Sequence, residues 1–232
     1  MGKDNDSFVH LHVHSEYSML DGAARVKPLV NAAVEAGMPA IAITDHGNMF
    51  GAYDFWNAAT DAGIKPIIGT EAYLTPGTHR TDKTRIRWNN GGDDDVSGGG
   101  AYTHMTLLSS STEGMHNLFK MSSLASLEGY YFKPRMDREL LNTYGKGLIA
   151  TTGCPGGEIQ TRLRIGQYAE ARAAAAEFRD IFGKENFFVE IMDHGLDIER
   201  RVVTDLIKLS KDLGLPLVAT NDLHYTDRKS TR

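Results

Sequence analysis

Metal-binding residue types recur in this chain at one kind of place, immediately after short apolar runs. The stretch FVHLHVHSEYSMLDG carries His10, His12 and His14 at every second position, with Asp21 just beyond. In an extended strand, alternation puts the three imidazoles on one face and Val9, Leu11 and Val13 on the other, and sets His12 and His14 about 7 Å apart. AIAITDHGNM supplies Asp45 and His46, IIGTEAY supplies Glu71, IATTGCPGGE supplies Cys154, and LVATNDLHY supplies Asp222 and His224. His104, in AYTHMTLLSS, precedes its apolar run instead. Mixed imidazole, carboxylate and thiolate donors suit zinc, with manganese or iron fitting the carboxylate-rich positions. His12, His14, Asp21, His46, Glu71, His104, Cys154, Asp222 and His224 are too many for one ion, so two or three ions are expected. Such a cluster acidifies bound water for attack on phosphorus and stabilises the leaving oxygen, which is metal-assisted phosphoester hydrolysis. Asp222 and Asp45 are the carboxylates expected to act beside that water. Asp45 either orients the His46 imidazole or caps the following turn.

Bringing these residues together is the task of the surrounding elements. Apolar runs of strand length fall at 8–13, 40–44, 66–70, 105–108, 148–152, 187–192 and 217–220, and helix-period segments at 26–36, 50–62, 113–128, 137–143, 157–165, 167–182 and 198–213. Alternation of this kind predicts an α/β domain with a largely parallel sheet. In a β/α barrel the C-terminal ends of the strands meet on one face, where sites are built. His104 would miss that face if its strand were parallel. An antiparallel strand, returning across a long connection, would carry it back towards Glu71.

The 232 residues contain 25 Lys plus Arg and 30 Asp plus Glu, a formal charge of −5, which excludes a surface that binds nucleic acid all over. No run of about 18 apolar residues is present, residues 1–7 have no signal-peptide core, and the lone Cys154 agrees with a reducing compartment. A cytoplasmic chain with no membrane contact is expected. An exposed insertion at about 75–103 holds the concentrated positive charge, Arg80, Lys83, Arg85 and Arg87, followed by Trp88. A basic stretch with an aromatic can track a single strand and stack a base; equally, with Asp93 to Asp95 following, it can be a solvated loop. Asp193 and His194 follow the sixth run and are candidates for substrate contact or ligand orientation.

The segments HLHVHSEYSMLDG, AITDHGNMFGA, the His of YTHMTLL, and ATNDLHY resemble the four motifs of the polymerase and histidinol phosphatase family of metal-dependent phosphoesterases. GTEAY, TTGCPGGEI and YYFKPRMD look like its polymerase branch, the N-terminal domain of bacterial replicative DNA polymerases. The resemblance runs from about residue 8 to 225. It implies a distorted seven-stranded, TIM-like β/α barrel over residues 1–225 with its metal site at the C-terminal face of the strands. It also implies that the nine donors above are the ligands of a three-metal site, and that the activity is 3′ to 5′ proofreading removal of nucleotides from a single-stranded DNA 3′ end. Arg80, Arg85, Arg87, Trp88 and His194 would then contact substrate, and the partners would be the remainder of the polymerase and other replisome subunits. Residues 226–232, ending DRKSTR, depart from the family's continuation and read as an artificial or truncated tail. Two rival readings remain: a free-standing histidinol-phosphate-type phosphatase, and a non-catalytic, metal-stabilised structural module.

Overall fold

Helix α1 (Val26–Glu35) shows how the pattern becomes structure: Val26, Leu29, Val30 and Ala33 recur at helical spacing and are the residues it buries. Pro28 stands in its first turn, where an N–H has no partner to lose, and Gly37, at φ 73, stops it. The computed structural model describes residues 8–89 and 95–226. The centre of the insertion (90–94), with Asp93 and Asp94, and residues 227–232 of the expected tail lie outside them. No helix among the described residues is long and apolar enough to cross a membrane.

Among the described residues, seven strands form one mixed sheet curled into a half-barrel, with helices packed around it. They are β1 (Ala40–Ile43), β2 (Lys65–Leu74), β3 (Thr103–Ser109), β4 (Arg135–Met136), β5 (Leu148–Thr151), β6 (Phe187–Ile191) and β7 (Leu217–Ala219). Their order is β1-β2-β3-β5-β6-β7, with β4 paired to β2. β3 runs antiparallel to both β2 and β5, and the β1–β2, β5–β6 and β6–β7 pairs are parallel. The antiparallel register sets His104 opposite Tyr73, two residues from Glu71, which is the return the sequence predicts. Of the remaining helices, α2 (Ala52–Asp61), α4 (Thr112–Leu127), α5 (Arg138–Tyr144), α6 (Glu158–Arg164), α7 (Tyr168–Phe182) and α8 (Asp197–Leu213) follow the expected segments, whereas the one-turn α3 (Ser97–Gly100) lies in the insertion, where no helix is expected.

Two expectations about strands need correction. The 8–13 run is not a ladder strand: Val13 makes an isolated bridge to Leu223. Its backbone spans two neighbours, accepting from Ala42 and Thr44 N–H at 2.9 and 2.8 Å on one side, while His14 N–H donates to Leu223 O at 2.7 Å on the other. The Thr44 hydroxyl intrudes, accepting from Val13 N–H at 2.7 Å and donating to Val13 O at 3.0 Å, and so replaces regular pairing. The seventh strand is instead β4, two residues inside YYFKPRMD.

β4 also pins the insertion. Arg135 is fully buried, and its guanidinium donates to the carbonyls of Gly129, Ala101, Arg80 and Asp82 at 2.9–3.3 Å. Arg135→Met removes the donor and strands these acceptors, so stability is expected to fall by about 2–4 kcal/mol. A thermal midpoint lowered by about 4–16 °C would be the signature, and an unchanged midpoint would show that the insertion does not depend on this contact.

Candidate metal centre

Glu71, buried within β2, is the hub of the donor residues. Its Oε1 lies 2.9 Å from His104 Nδ1, 3.0 Å from Cys154 Sγ and 3.6 Å from His12 Nε2, and its Oε2 lies 2.6 Å from His46 Nδ1 and 3.4 Å from His14 Nε2. Asp222 Oδ1 faces His12 Nε2 at 3.4 Å and His14 Nε2 at 3.1 Å. At the rim, Asp21 Oδ2 lies 3.2 Å from His46 Nε2 and 4.0 Å from His224 Nε2, and the His224 ring stacks on His14 at 4.2 Å. All nine expected donors therefore form one connected cluster. His10 does not join it, because the backbone bends at His12; His10 packs edge-on against Phe8 at 5.0 Å and lines a neighbouring cleft.

Whether the cluster fits a cation can be tested on its polar atoms. His12 Nε2, His14 Nε2, His46 Nδ1, Glu71 Oε2 and Asp222 Oδ1 are buried and have no hydrogen-bond partner, although they crowd together. Buried polar atoms are almost always paired, so five orphans converging on one place fit a positive ion. Three overlapping trios, His14–His46–His224, His12–His14–Glu71 and His46–Glu71–His104, each present donor atoms within 4.8 Å of one another. Burial would raise the Glu71 pKa, yet His104, His12 and His46 outweigh it and hold the carboxylate well below the usual range. For Cys154, burial and the Glu71 charge push the thiol up, so in the metal-free chain it is a protonated donor to Glu71.

The imidazoles are aimed by partners behind them. His12 Nδ1 meets Glu190 Oε1 at 2.8 Å, and His224 Nδ1 meets the Asp222 carbonyl at 2.7 Å. Ser18 donates its hydroxyl to Asp45 Oδ1 at 2.7 Å and so accepts from His14 Nδ1–H at 2.9 Å. In each case these acceptors keep a proton on Nδ1, so that the neutral ring turns its Nε2 lone pair into the cluster, as ligand imidazoles require. Asp45 thus acts on His14 through Ser18, which corrects both expectations for it. Its carboxylate accepts from Ser15 N–H, Ser15 Oγ and Ser18 Oγ rather than from the His46 ring, because alternation past β1 turns Asp45 and His46 to opposite sides. Nor does it face the cluster as a catalytic group.

Glu190 is the residue sequence reasoning missed. It stands within β6, is buried, and also accepts from the hydroxyls of Thr151 and Thr220. One signal was available: a lone acid inside the apolar run FFVEI, where a buried charge must have a partner. Replacing Glu190 with Gln keeps the shape but weakens the hold on the His12 tautomer. Metal affinity is expected to fall about 10–100-fold, read by competition with a chromogenic chelator; wild-type affinity would assign Glu190 to packing alone.

Of the expected substrate contacts, Arg80 is buried, its guanidinium held by Glu128, Asp137 and Glu139 at 2.6–3.2 Å, and it fixes the insertion instead. Trp88 is covered by Arg162 at 3.9 Å and cannot stack a base on that face. Arg85 and Arg87 are exposed. His194 is held by Glu199 at 2.6 Å and the Asn221 carbonyl at 2.8 Å; burial would lower its pKa, but these acceptors raise it. It lines, with Asp193, Asp222 and His224, a cleft of about 370 Å³ that opens beside the cluster.

The family model for the PHP domain matches residues 10–194. The DNA polymerase III subunit alpha of Saccharopolyspora erythraea is 58% identical over 229 residues, 95% of this chain and 19% of that protein. That of Mycobacterium tuberculosis is 56% identical over 225 residues, 96% of this chain and 19% of that protein, and that of Helicobacter pylori 40% over 235 residues, 97% and 18%. The chain spans about a fifth of the length of these relatives. Among solved structures, an amidohydrolase from Chromobacterium violaceum with bound sulfate and no metal shares the fold, with a TM-score of 0.55 at 15% identity over 94% of this chain and 87% of that one.

Proposed function

Since this chain belongs to the PHP domain family, we propose that it is the N-terminal domain of a bacterial DNA polymerase III alpha subunit and a metal-dependent phosphodiesterase that removes nucleotides from a DNA 3′ end. It acts in the cytoplasm, beside the polymerase domains that would follow it. Two or three divalent ions, zinc before manganese or iron, would be held by His12, His14, Asp21, His46, Glu71, His104, Cys154, Asp222 and His224. When bound, such ions supply Lewis-acid stabilisation at phosphorus and acidify water. The chain's own residues do the rest: Glu190, Ser18 with Asp45, and the Asp222 carbonyl fix the imidazoles, and the cleft beside Asp222 and His224 admits the strand end. The observation that carries this reading is the set of five buried, partnerless donor atoms.

The test is release of nucleotides from a 3′-labelled single-stranded DNA, with and without chelator. Release that the chelator abolishes is expected. No release by a chain that still carries its ions would overturn the nuclease and favour the structural module, for which the depth of the donors speaks: His12, His14 and Glu71 are almost fully buried, and ions there would tie β2, β3 and the chain ends together.

A further inference from the structure

The YYFKPRMD segment contributes more to this surface than the two residues of β4. Tyr130 and Phe132 are 62% and 56% exposed. Tyr131 N–H bonds to Lys133 O at 3.0 Å, and this tight bulge throws the Phe132 side chain outward. Phe132 sits at φ 61, a left-handed conformation that a bulky residue adopts only at a cost and that glycine adopts freely. The ring meets Tyr131 edge-on at 4.6 Å, yet more than half of it stays in solvent. Two cations accompany the aromatics: Arg85 lies 5.0 Å from the centre of the Phe132 ring, and Lys133 Nζ lies 5.3 Å from the centre of Tyr73. Tyr73 in turn packs against His104 at 5.2 Å and His46 at 5.8 Å. The Arg85–Phe132 pair at the surface and the Lys133–Tyr73 pair that reaches the metal cluster are therefore joined by a single peptide bond. Asp82, three residues before Arg85, is turned onto its own loop, accepting from Thr84 N–H at 2.8 Å.

Exposed aromatic faces interleaved with cations are what sequence-tolerant single-strand binding requires, rings for the bases and ammonium or guanidinium groups for the phosphates. We infer that the edge formed by Tyr130, Phe132, Lys133 and Arg85 binds single-stranded nucleic acid, holding the nucleotides next to the end that enters the metal centre. This rests on the reading above that the substrate is a DNA strand.

Fluorescence anisotropy of a labelled oligothymidylate of about eight nucleotides, within the span of one such platform, tests it on the metal-loaded chain. Phe132→Gly suits the backbone, so thermal midpoint and metal content should match wild type while the dissociation constant rises about 5- to 150-fold, the loss of one stacked base. Lys133→Ala should weaken binding and flatten its salt dependence by about 0.7 in log–log slope. Phe119→Ala, an exposed aromatic on α4, should change nothing. Equal affinity of Phe132→Gly and wild type, or no binding by wild type, overturns the inference. Nucleotide release is not read here, so a chain that binds the strand without cutting it removes the nuclease reading and leaves this one standing.

Discussion

Asp222→Asn is expected to abolish chelator-sensitive nucleotide release and to remove at least one bound ion per chain. The carboxylate faces two imidazole nitrogens at once, 3.4 Å from His12 and 3.1 Å from His14. Burial would push its pKa up, but His12 and His14 pull it down to about 2, so it is an anion at every working pH. Asparagine has the same outline, and it tolerates the left-handed backbone at φ 43 that Asp222 adopts. The substitution thus deletes charge and leaves the turn. Affinity at that ion should drop by more than the roughly 10–100-fold typical of an outer partner. His12→Ala should be as inactive, because it also removes a ligand, and by taking the imidazole from the buried Glu190 it adds a folding defect of about 3–5 kcal/mol. Elemental analysis of the purified variants, beside the release assay, separates the two. An Asp222→Asn chain with full metal and wild-type release would sink the assignment.

Most of the donors were legible in the sequence because they follow an apolar run, a place that period and punctuation mark well. The return of His104 was legible too, since a residue before its run can join the others only on an antiparallel strand. The positioning groups were harder to see. Glu190 aims His12 only because Thr151 and Thr220 flank it across β5 and the end of β7, and strand neighbours are a property of topology, not of local pattern. Asp45 was noticed for its neighbour in sequence, His46, whereas its partners come from the 15–18 turn folded over it. Arg80 and Trp88 looked free because the insertion reads as polar, but its carboxylate and arginine partners lie 48 to 74 residues further on. Composition does not report pairings of that range.

Metal-induced stabilisation should grow as pH rises from about 6.5 to 8.5, while the metal-free chain becomes less stable over the same interval. Burial opposes the charged form of His12, but Asp222 and Glu190 outweigh it and hold the pKa well above the ordinary imidazole value; Glu71 and Asp21 raise His46 in the same way. A raised histidine contributes stability that is complete below its unfolded pKa, about 6.5, and is lost as pH climbs through the folded value. Burial lowers His10 and His14; their contribution is lost only as pH falls below about 6.5, and above it they are neutral in both states and do not oppose the trend. Glu71 and Asp222 stay ionised throughout. Ligand imidazoles must be neutral, so binding expels the His12 and His46 protons, and affinity should rise about tenfold per pH unit for each proton released. Thermal midpoints with and without zinc across this range measure both slopes. A metal-induced shift that is flat or shrinks with rising pH would mean that neither the imidazoles nor the Cys154 thiol gives up a proton to the ion, and that the carboxylates alone hold it.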